Sequence, residues 1–378
     1  MKYPIGIQDF EDLQRNGYAY VDKTNFVYKL ADEGKYYFLS RPRRFGKSLF
    51  LSTLEAYFQG KKELFEGLAI YDLETDWKKY PIFHIDLNTA NFREKDSLYT
   101  VLNDYLTTWE SKYGTRESEA TLALRFKGVI ARAAEKEGCG VVILIDEYDK
   151  PILQTLRDPE LQAEHRAQLK AFYSVLKTQD RYIKFAFLTG VTKFGKVSVF
   201  SDLNNLTDIS MDHRYISICG MTEKELLTNF KEGIGELASA NEDNETETID
   251  KLRMRYSGYH FEENSEEIYN PFSVLNTLAN SRYDDYWFKA DTHTFLIDIL
   301  KKHDYCITDL NKAQVKANMM NNVDFNPIPV IYQSGYLTIK SYDERFKNYQ
   351  LGIPNKEVEE GILNTLLPHG CKTAEMDC

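Results

Sequence analysis

The chain has 378 residues, 43% hydrophobic and 28% charged, which is the composition of a globular protein with material for about two domains. No run approaches the roughly 20 apolar residues of a membrane-spanning helix, and the opening MKYPIGIQDFEDL lacks the basic flank and apolar stretch of a secretory signal. A net charge of −11 disfavours general binding to a phosphate backbone, and five scattered cysteines with no CxxC pair argue against a disulfide frame or zinc site and for free thiols in a reducing cytoplasm.

Tyr36–Leu39 reads as a strand running into Arg41-Pro42-Arg43-Arg44-Phe45-Gly46-Lys47-Ser48, with a helix expected from about Ser48 to Phe58. Ile82–Ile85 is a second strand, followed by helices expected across 95–110 and 118–136. Val141–Ile145 is a continuous aliphatic run, the mark of a strand buried on both faces. A helix over about 159–177, a strand at Lys184–Thr189 and a fifth strand at Tyr215–Ile218 follow. Strands separated by helices predict an α/β fold, a parallel sheet with helices on both faces. After about residue 220 the pattern changes. Polar residues over 235–249 predict a solvated helix end or loop, and helices are expected near 245–257, 272–280, 292–302 and 310–318. Val330–Ile339 reads as helix end, Gly335 turn and strand, with Tyr349-Gln350-Leu351 available to pair as a hairpin. The expected organisation is a nucleotide-binding domain over 1–205 and a smaller helical, winged-helix-like region over 206–378.

The chemistry concentrates at two places. Gly46-Lys47-Ser48 meets the end of the phosphate-binding pattern G-x-x-x-x-G-K-[ST], while Arg41 stands where that pattern has its first glycine. A glycine-containing loop opening a helix offers backbone N–H groups to an anion. Lys47 supplies a point charge for the β/γ-phosphates, and the Ser48 hydroxyl a magnesium ligand. The competing reading is a chance tripeptide at a helix start, and the strand–loop–helix context favours the functional one.

The second place is Asp146-Glu147 at the end of the Val141–Ile145 strand. There Asp146 is expected to hold Mg²⁺ and Glu147 to polarise the attacking water. The alternative is that the pair caps the next helix. Asp149 either assists the metal or caps that helix, with capping the preferred reading. Thr189 or Thr192 touches the γ-phosphate or water, or is a strand-end hydroxyl satisfying backbone. This reading requires that the loop around residue 46 and the carboxylates after 145 lie on adjacent strands and face one hollow.

These residues resemble the AAA-ATPase-like family of P-loop proteins abundant among Bacteroidetes. The likeness is carried by Pro4–Phe10, Tyr20–Thr24, the loop Arg41–Ser48, Ile145–Pro151, Thr189–Phe194, Tyr269–Ser273 and Ser334–Ile339. It implies an ASCE-type P-loop core with a helical or winged-helix lid, ATP and Mg²⁺ as cofactors, and an Arg in the first glycine position as the family's own variant. The residues it places on nucleotide are Arg44, Phe45, Gly46, Lys47, Ser48, Leu49 and Thr189. Asp22 and Lys23 come near base or ribose, unless Asp22 or Thr24 merely caps a helix. Family members usually continue into a C-terminal PD-(D/E)XK nuclease-like domain. This sequence departs there and ends at HGCKTAEMDC, so a truncated or frameshifted end is expected and no nuclease activity is carried over.

The leading expectation is a cytoplasmic, Mg-dependent ATPase acting as a regulatory switch on a protein partner or through self-association. Arg43, Arg44, Lys193 and Arg214 are candidate extra cations. The alternatives are a non-catalytic nucleotide-binding interaction module and, against the charge, a nucleic-acid protein using Lys340, Arg345 and Lys347. A small-molecule kinase is disfavoured because the Asp-Glu pair selects water as acceptor. The absence of an N-K-x-D guanine signature after the acidic strand leans toward ATP over GTP.

Overall fold

The computed structural model describes residues 1–193, 199–200, 205–290, 296, 300, 307–320 and 327–366. Its centre is a five-stranded, all-parallel sheet. The strands are β1 (Tyr36–Ser40), β2 (Ile82–Asp86), β3 (Val141–Asp146), β4 (Ile183–Gly190) and β5 (Thr207–Asp208), in the spatial order β2-β3-β4-β1-β5.

Alternating side chains explain why the strands read as unbroken apolar runs. Tyr37, Leu39, Val142, Leu144, Phe185 and Phe187 face one core with α3 (Lys47–Phe58), which contributes Phe50, Leu51, Leu54 and Phe58. Tyr36, Phe38, Ile143, Ile145, Ala186 and Leu188 face a second core under α4 (Ser97–Tyr113), α5 (Leu122–Glu137) and α7 (Pro159–Tyr173). The helices form where their apolar spacing allows it. In α5, Leu122, Phe126, Val129, Ile130 and Ala133 are buried on one stripe; the Thr121 hydroxyl accepts from Leu124 N at the start, and Gly138 closes the end at φ 68°. The short α1 (Phe10–Arg15) and α2 (Thr24–Glu33) precede the sheet, α6 (Lys150–Gln154) follows β3, and α8 (Val175–Thr178) extends α7.

Beyond the sheet, β6 (Met221–Thr222) pairs with β7 (Ile268–Tyr269). Here α9 (Glu223–Asn229), α10 (Lys231–Ala240), α11 (Glu245–Tyr256) and α12 (Pro271–Asn280) gather a third core around Leu226, Phe230, Leu237, Leu252 and Val274. Capping boxes start α9 (Thr222, Glu225) and α11 (Asn244, Glu247), so the polar stretch near 241–247 is a helix end and a new helix start. After α13 (Tyr286–Lys289) and α14 (Ile307–Leu310) comes a three-stranded antiparallel sheet. It is ordered β8-β10-β9, from β8 (Gln314–Lys316), β9 (Thr338–Asp343) and β10 (Asn348–Gly352), with α15 (Pro327–Gln333) before β9 and α16 (Lys356–Leu366) after β10. The β9–β10 hairpin stands where the Gly335 turn and Tyr349–Leu351 placed it. The α3-side core continues without a break into Tyr259, Phe261, Trp287, Tyr336, Leu351 and Val358.

Two expectations are corrected. Tyr215–Ile218 is not a strand but part of a kinked 3₁₀ segment, His213–Ile218, started by Asp212, and the fifth strand is the two-residue β5. Its apolar residues are buried as a strand's would be, but the Tyr215 and Ile216 carbonyls serve a side chain instead of a neighbouring strand. The helix expected over 310–318 stops at Leu310 and gives way to β8, because 314–316 pair with β10. The helix expected near 292–302 lies outside the described residues apart from 296 and 300, as does the polar ending after 366. Among the described residues no helix is long and apolar enough to cross a membrane, and Cys139 and Cys219 are free thiols.

Candidate nucleotide site

The loop between β1 and α3 is anchored from below. Arg41 N donates to Gly190 O at the end of β4, 3.2 Å away. The Arg41 side chain is fully buried. Its guanidinium donates to the carbonyls of Ser40 (3.0 Å), Ser210 (2.7 Å), Tyr215 (3.2 Å) and Ile216 (3.3 Å) and lies over the Phe261 ring at 3.9 Å. Burial lowers its pKa to about 10. The arginine in the first glycine position is therefore a latch that draws three distant carbonyls under the loop, not a cation facing the hollow.

The loop then turns with two left-handed residues, Arg44 (φ 66°) and Gly46 (φ 94°). Gly46 is required by its backbone: a Cβ there would meet nothing, but L side chains resist that φ. No side chain caps α3, so its first N–H groups, which have no intrahelical acceptor, are left for an anion.

Between β1 and β3 lies β4, so the two motifs are not on adjacent strands as expected; strand order is a long-range property that local patterns do not carry. They nevertheless meet. Ser48 Oγ donates to Asp146 Oδ2 at 2.5 Å, and Thr189 Oγ1, from the intervening strand, donates to Asp146 Oδ1 at 2.5 Å. Lys47 is buried, 3.0 Å from Glu147 Oε1, and its ammonium also donates to the Arg41 and Pro42 carbonyls at 3.1 and 3.2 Å. Glu147 sits at φ 53°, an uncommon conformation for glutamate that aims its carboxylate across to Lys47.

The segment after Glu147 is stitched to the segment after β4. Tyr148 N donates to Thr189 O (3.0 Å) and its hydroxyl to Thr192 O (3.0 Å). Asp149 is fully buried and does not cap α6. Its Oδ1 accepts from Val191 N (3.2 Å), and its Oδ2 from Thr192 N (2.7 Å) and Thr192 Oγ1 (2.6 Å). Burial, and then the charge of Glu147, raise its pKa to about 6. Thr192, proposed from sequence as a phosphate contact, is thus turned toward Asp149.

The remaining sequence candidates are more scattered. Phe45 is buried edge-on against Tyr259 (4.9 Å) and Phe261 (5.8 Å), and Leu49 is partly buried against the same core. Arg44 is exposed over the Phe272 ring at 4.9 Å. Asp22 accepts from Thr24 N and Oγ1 and from Ala69 N, which ties the start of α2 to the turn at Ala69, and Lys23 pairs with Glu225 of α9 at 2.5 Å, so neither side chain is bonded to the loop. Lys193 is buried against Asp208 at 2.9 Å, and Arg214 is a surface partner of Asp212 at 2.7 Å. Sequence reasoning missed His84 of β2. Its Nδ1 is 2.7 Å from Glu55 of α3, and although burial alone would lower its pKa, that bond and the charges of Asp146 and Asp86 raise it. The signal was available in outline, since His84 and Asp86 alternate on the same face as Asp146, with Asp86 in register beside it.

The model of the AAA-ATPase-like family, described as a predicted AAA-ATPase, matches residues 4–200, and the loop, the acidic strand end and β4 all fall inside that span. The chain belongs to this family. It is also 38% identical over 373 residues to an uncharacterized protein in the vnfD 5′ region of Azotobacter chroococcum mcd 1, covering 97% of this chain and 70% of that one. No solved structure matches it. Family membership implies the use of nucleotide, and the Arg41–Ser48 loop lies within the matched span.

Proposed function

We propose that this AAA-ATPase-like protein binds Mg-ATP and hydrolyses it. The observation that carries the reading is the convergence on Asp146: a loop serine and a β4 threonine hold its two oxygens, while Lys47 and Glu147 face each other alongside. The strand order with β4 between the loop strand and the acidic strand is that of ASCE-type P-loop ATPases, and it supports the same reading. Ser48 Oγ and Asp146 Oδ2 are neighbouring hard oxygen donors, a set that suits Mg²⁺. When bound, the ion would neutralise charge on the β/γ-phosphates. Lys47 exchanges its contact with Glu147 for the phosphates, which releases Glu147 to orient the attacking water. Thr189 holds Asp146 in place throughout. In this reading residues 1–205 carry the nucleotide and 206–378 respond to it, a switch that works through protein contacts in the cytoplasm.

The test is single-turnover hydrolysis with measured nucleotide affinity. Lys47→Ala is expected to weaken Mg-ATP binding by about tenfold or more, as loss of a charge-assisted contact does. Glu147→Gln is expected to keep binding and lose cleavage by about 100-fold, the scale of a lost general base. Equal inertness of wild type and Glu147→Gln would leave a binding module only.

A further inference from the structure

The DEYD segment does more than end a strand. Asp149 lies three residues beyond the magnesium carboxylate, yet points away from it, into the backbone leaving β4. It takes three donors there, from Val191 N, Thr192 N and Thr192 Oγ1, while Tyr148 adds two more bonds to Thr189 and Thr192. The fit is tight: a Cβ at Gly190 would come within 2.6 Å of both Asp149 Oδ1 and the Tyr148 ring. The Tyr148 ring is itself wedged between Phe38 (5.4 Å) and Phe200 (5.0 Å). Glu147 is thus the one residue of the turn whose carboxylate is not tied to the β4 exit. Asp146 before it is fixed by Ser48 and Thr189, and Tyr148–Asp149 after it by Thr189–Thr192. Its left-handed backbone costs about 1–3 kcal/mol, and such a conformation persists only where the flanks over-determine it.

We propose that Asp149, with the Thr192 hydroxyl it accepts from, is the positioning residue of the hydrolytic centre: it clamps the turn so that the Glu147 carboxylate stays aimed into the hollow facing Lys47. The three donors specify a carboxylate. An Asn at 149 matches it in size, but its NH₂ would face either the Val191 N–H or the Thr192 pair, donor against donor. This role rests on the hydrolysis proposed above.

The experiment uses the full chain as wild type, Asp149→Asn, Thr192→Val and Thr192→Ser. Each is measured for affinity to a fluorescent ATP analogue with Mg²⁺, for single-turnover cleavage of ATP, and for Tm. Because the clamp acts on Glu147 and not on the phosphate loop, Asp149→Asn and Thr192→Val are expected to bind within about threefold of wild type. Both are expected to cleave about 10- to 100-fold more slowly, the cost of a misplaced reacting group. Thr192→Ser, which returns the hydroxyl, recovers most of the rate. A purely structural Asp149 would lower Tm and affinity together, with no rescue of rate by Ser over Val, and that pattern overturns the role. Thr192→Val keeps the side-chain volume and carries the test if Asp149→Asn does not fold. A wild type that cleaves while both clamp variants cleave equally well overturns this role alone. A wild type that binds without cleaving overturns the hydrolytic reading and this role with it.

Discussion

Replacing Arg41 with Gly would give the loop the full G-x-x-x-x-G-K-S pattern, and the structure predicts that this change unfolds the protein instead of improving it. Two effects oppose each other in the milder variant Arg41→Met. Burial lowers the guanidinium pKa to about 10, which corresponds to about 3 kcal/mol held against the charged form, and an apolar replacement recovers it. Against this, the carbonyls of Ser210, Tyr215 and Ile216 lose their donor in a buried place, at about 1–3 kcal/mol each. The orphaned carbonyls win, so Arg41→Met should lose about 2–3 kcal/mol. Arg41→Gly also gives up the stem and the stack on Phe261 and leaves a cavity, raising the loss to about 4–6 kcal/mol, comparable with the whole stability of many domains. Urea unfolding followed by tryptophan fluorescence reads this directly: with a slope of about 2–3 kcal/mol/M, Arg41→Met should move the midpoint down by about 1 M with the slope unchanged. An unchanged midpoint in Arg41→Met, or an Arg41→Gly protein that is as stable as wild type and binds nucleotide more tightly, would refute the latch and make Arg41 a cation of the site.

Four further outcomes are expected. Thr189→Val frees one oxygen of Asp146 and should slow single-turnover cleavage by about tenfold while Mg-ATP affinity falls less. Gly190→Ala should cost about 1–3 kcal/mol in urea unfolding, because its methyl must displace Asp149 or the Tyr148 ring. Glu357, fully buried between Ser273 Oγ and Trp287 N, has its pKa raised by burial to about 8. Its folded form holds the proton more tightly than its unfolded form, so its stabilising contribution is full below about pH 4 and fades as pH rises through 8; Glu357→Gln should flatten that fall, by a few kcal/mol at most, in unfolding measured from pH 5 to 8.5. Phe45→Ala should lose about 3–5 kcal/mol of stability, reflecting the ring it buries against Tyr259 and Phe261.

What was legible in the sequence is what is local. Strand, loop and helix run contiguously from Tyr36 to Phe58, and Val141–Asp146 carries its carboxylate at the end of its own apolar run, so both halves of the candidate site could be read from neighbours in the chain. The order of the strands was not legible, because no residue of β4 announces that it will lie between them. Nor was the fate of Tyr215–Ile218, since alternating apolar residues suit a strand and a buried 3₁₀ segment equally, and the deciding partner, Arg41, is 174 residues away. Asp149 shows the same limit. A carboxylate one residue before a helix is a cap by every local rule, and only the Val191–Thr192 backbone, 42 and 43 positions on, draws it away.

The same long-range contacts determine what a phosphate could move. On its inner side the loop holds the acidic strand through Lys47 and Ser48. Its outer side meets residues beyond 210: Phe45 meets Tyr259 and Phe261, the Arg43 carbonyl accepts from Trp287 Nε1 at 3.0 Å, Arg44 lies over Phe272, and Pro42 lies against Gly335. Lys47 cannot turn to a phosphate without withdrawing its ammonium from the Arg41 and Pro42 carbonyls. Those two residues are the ones pinned to Ser210, Tyr215 and Ile216 on one side and to Gly335 on the other. In the proposed switch, a change of occupancy in the hollow would reach the second half of the chain through the loop itself, with no relay required along the sheet.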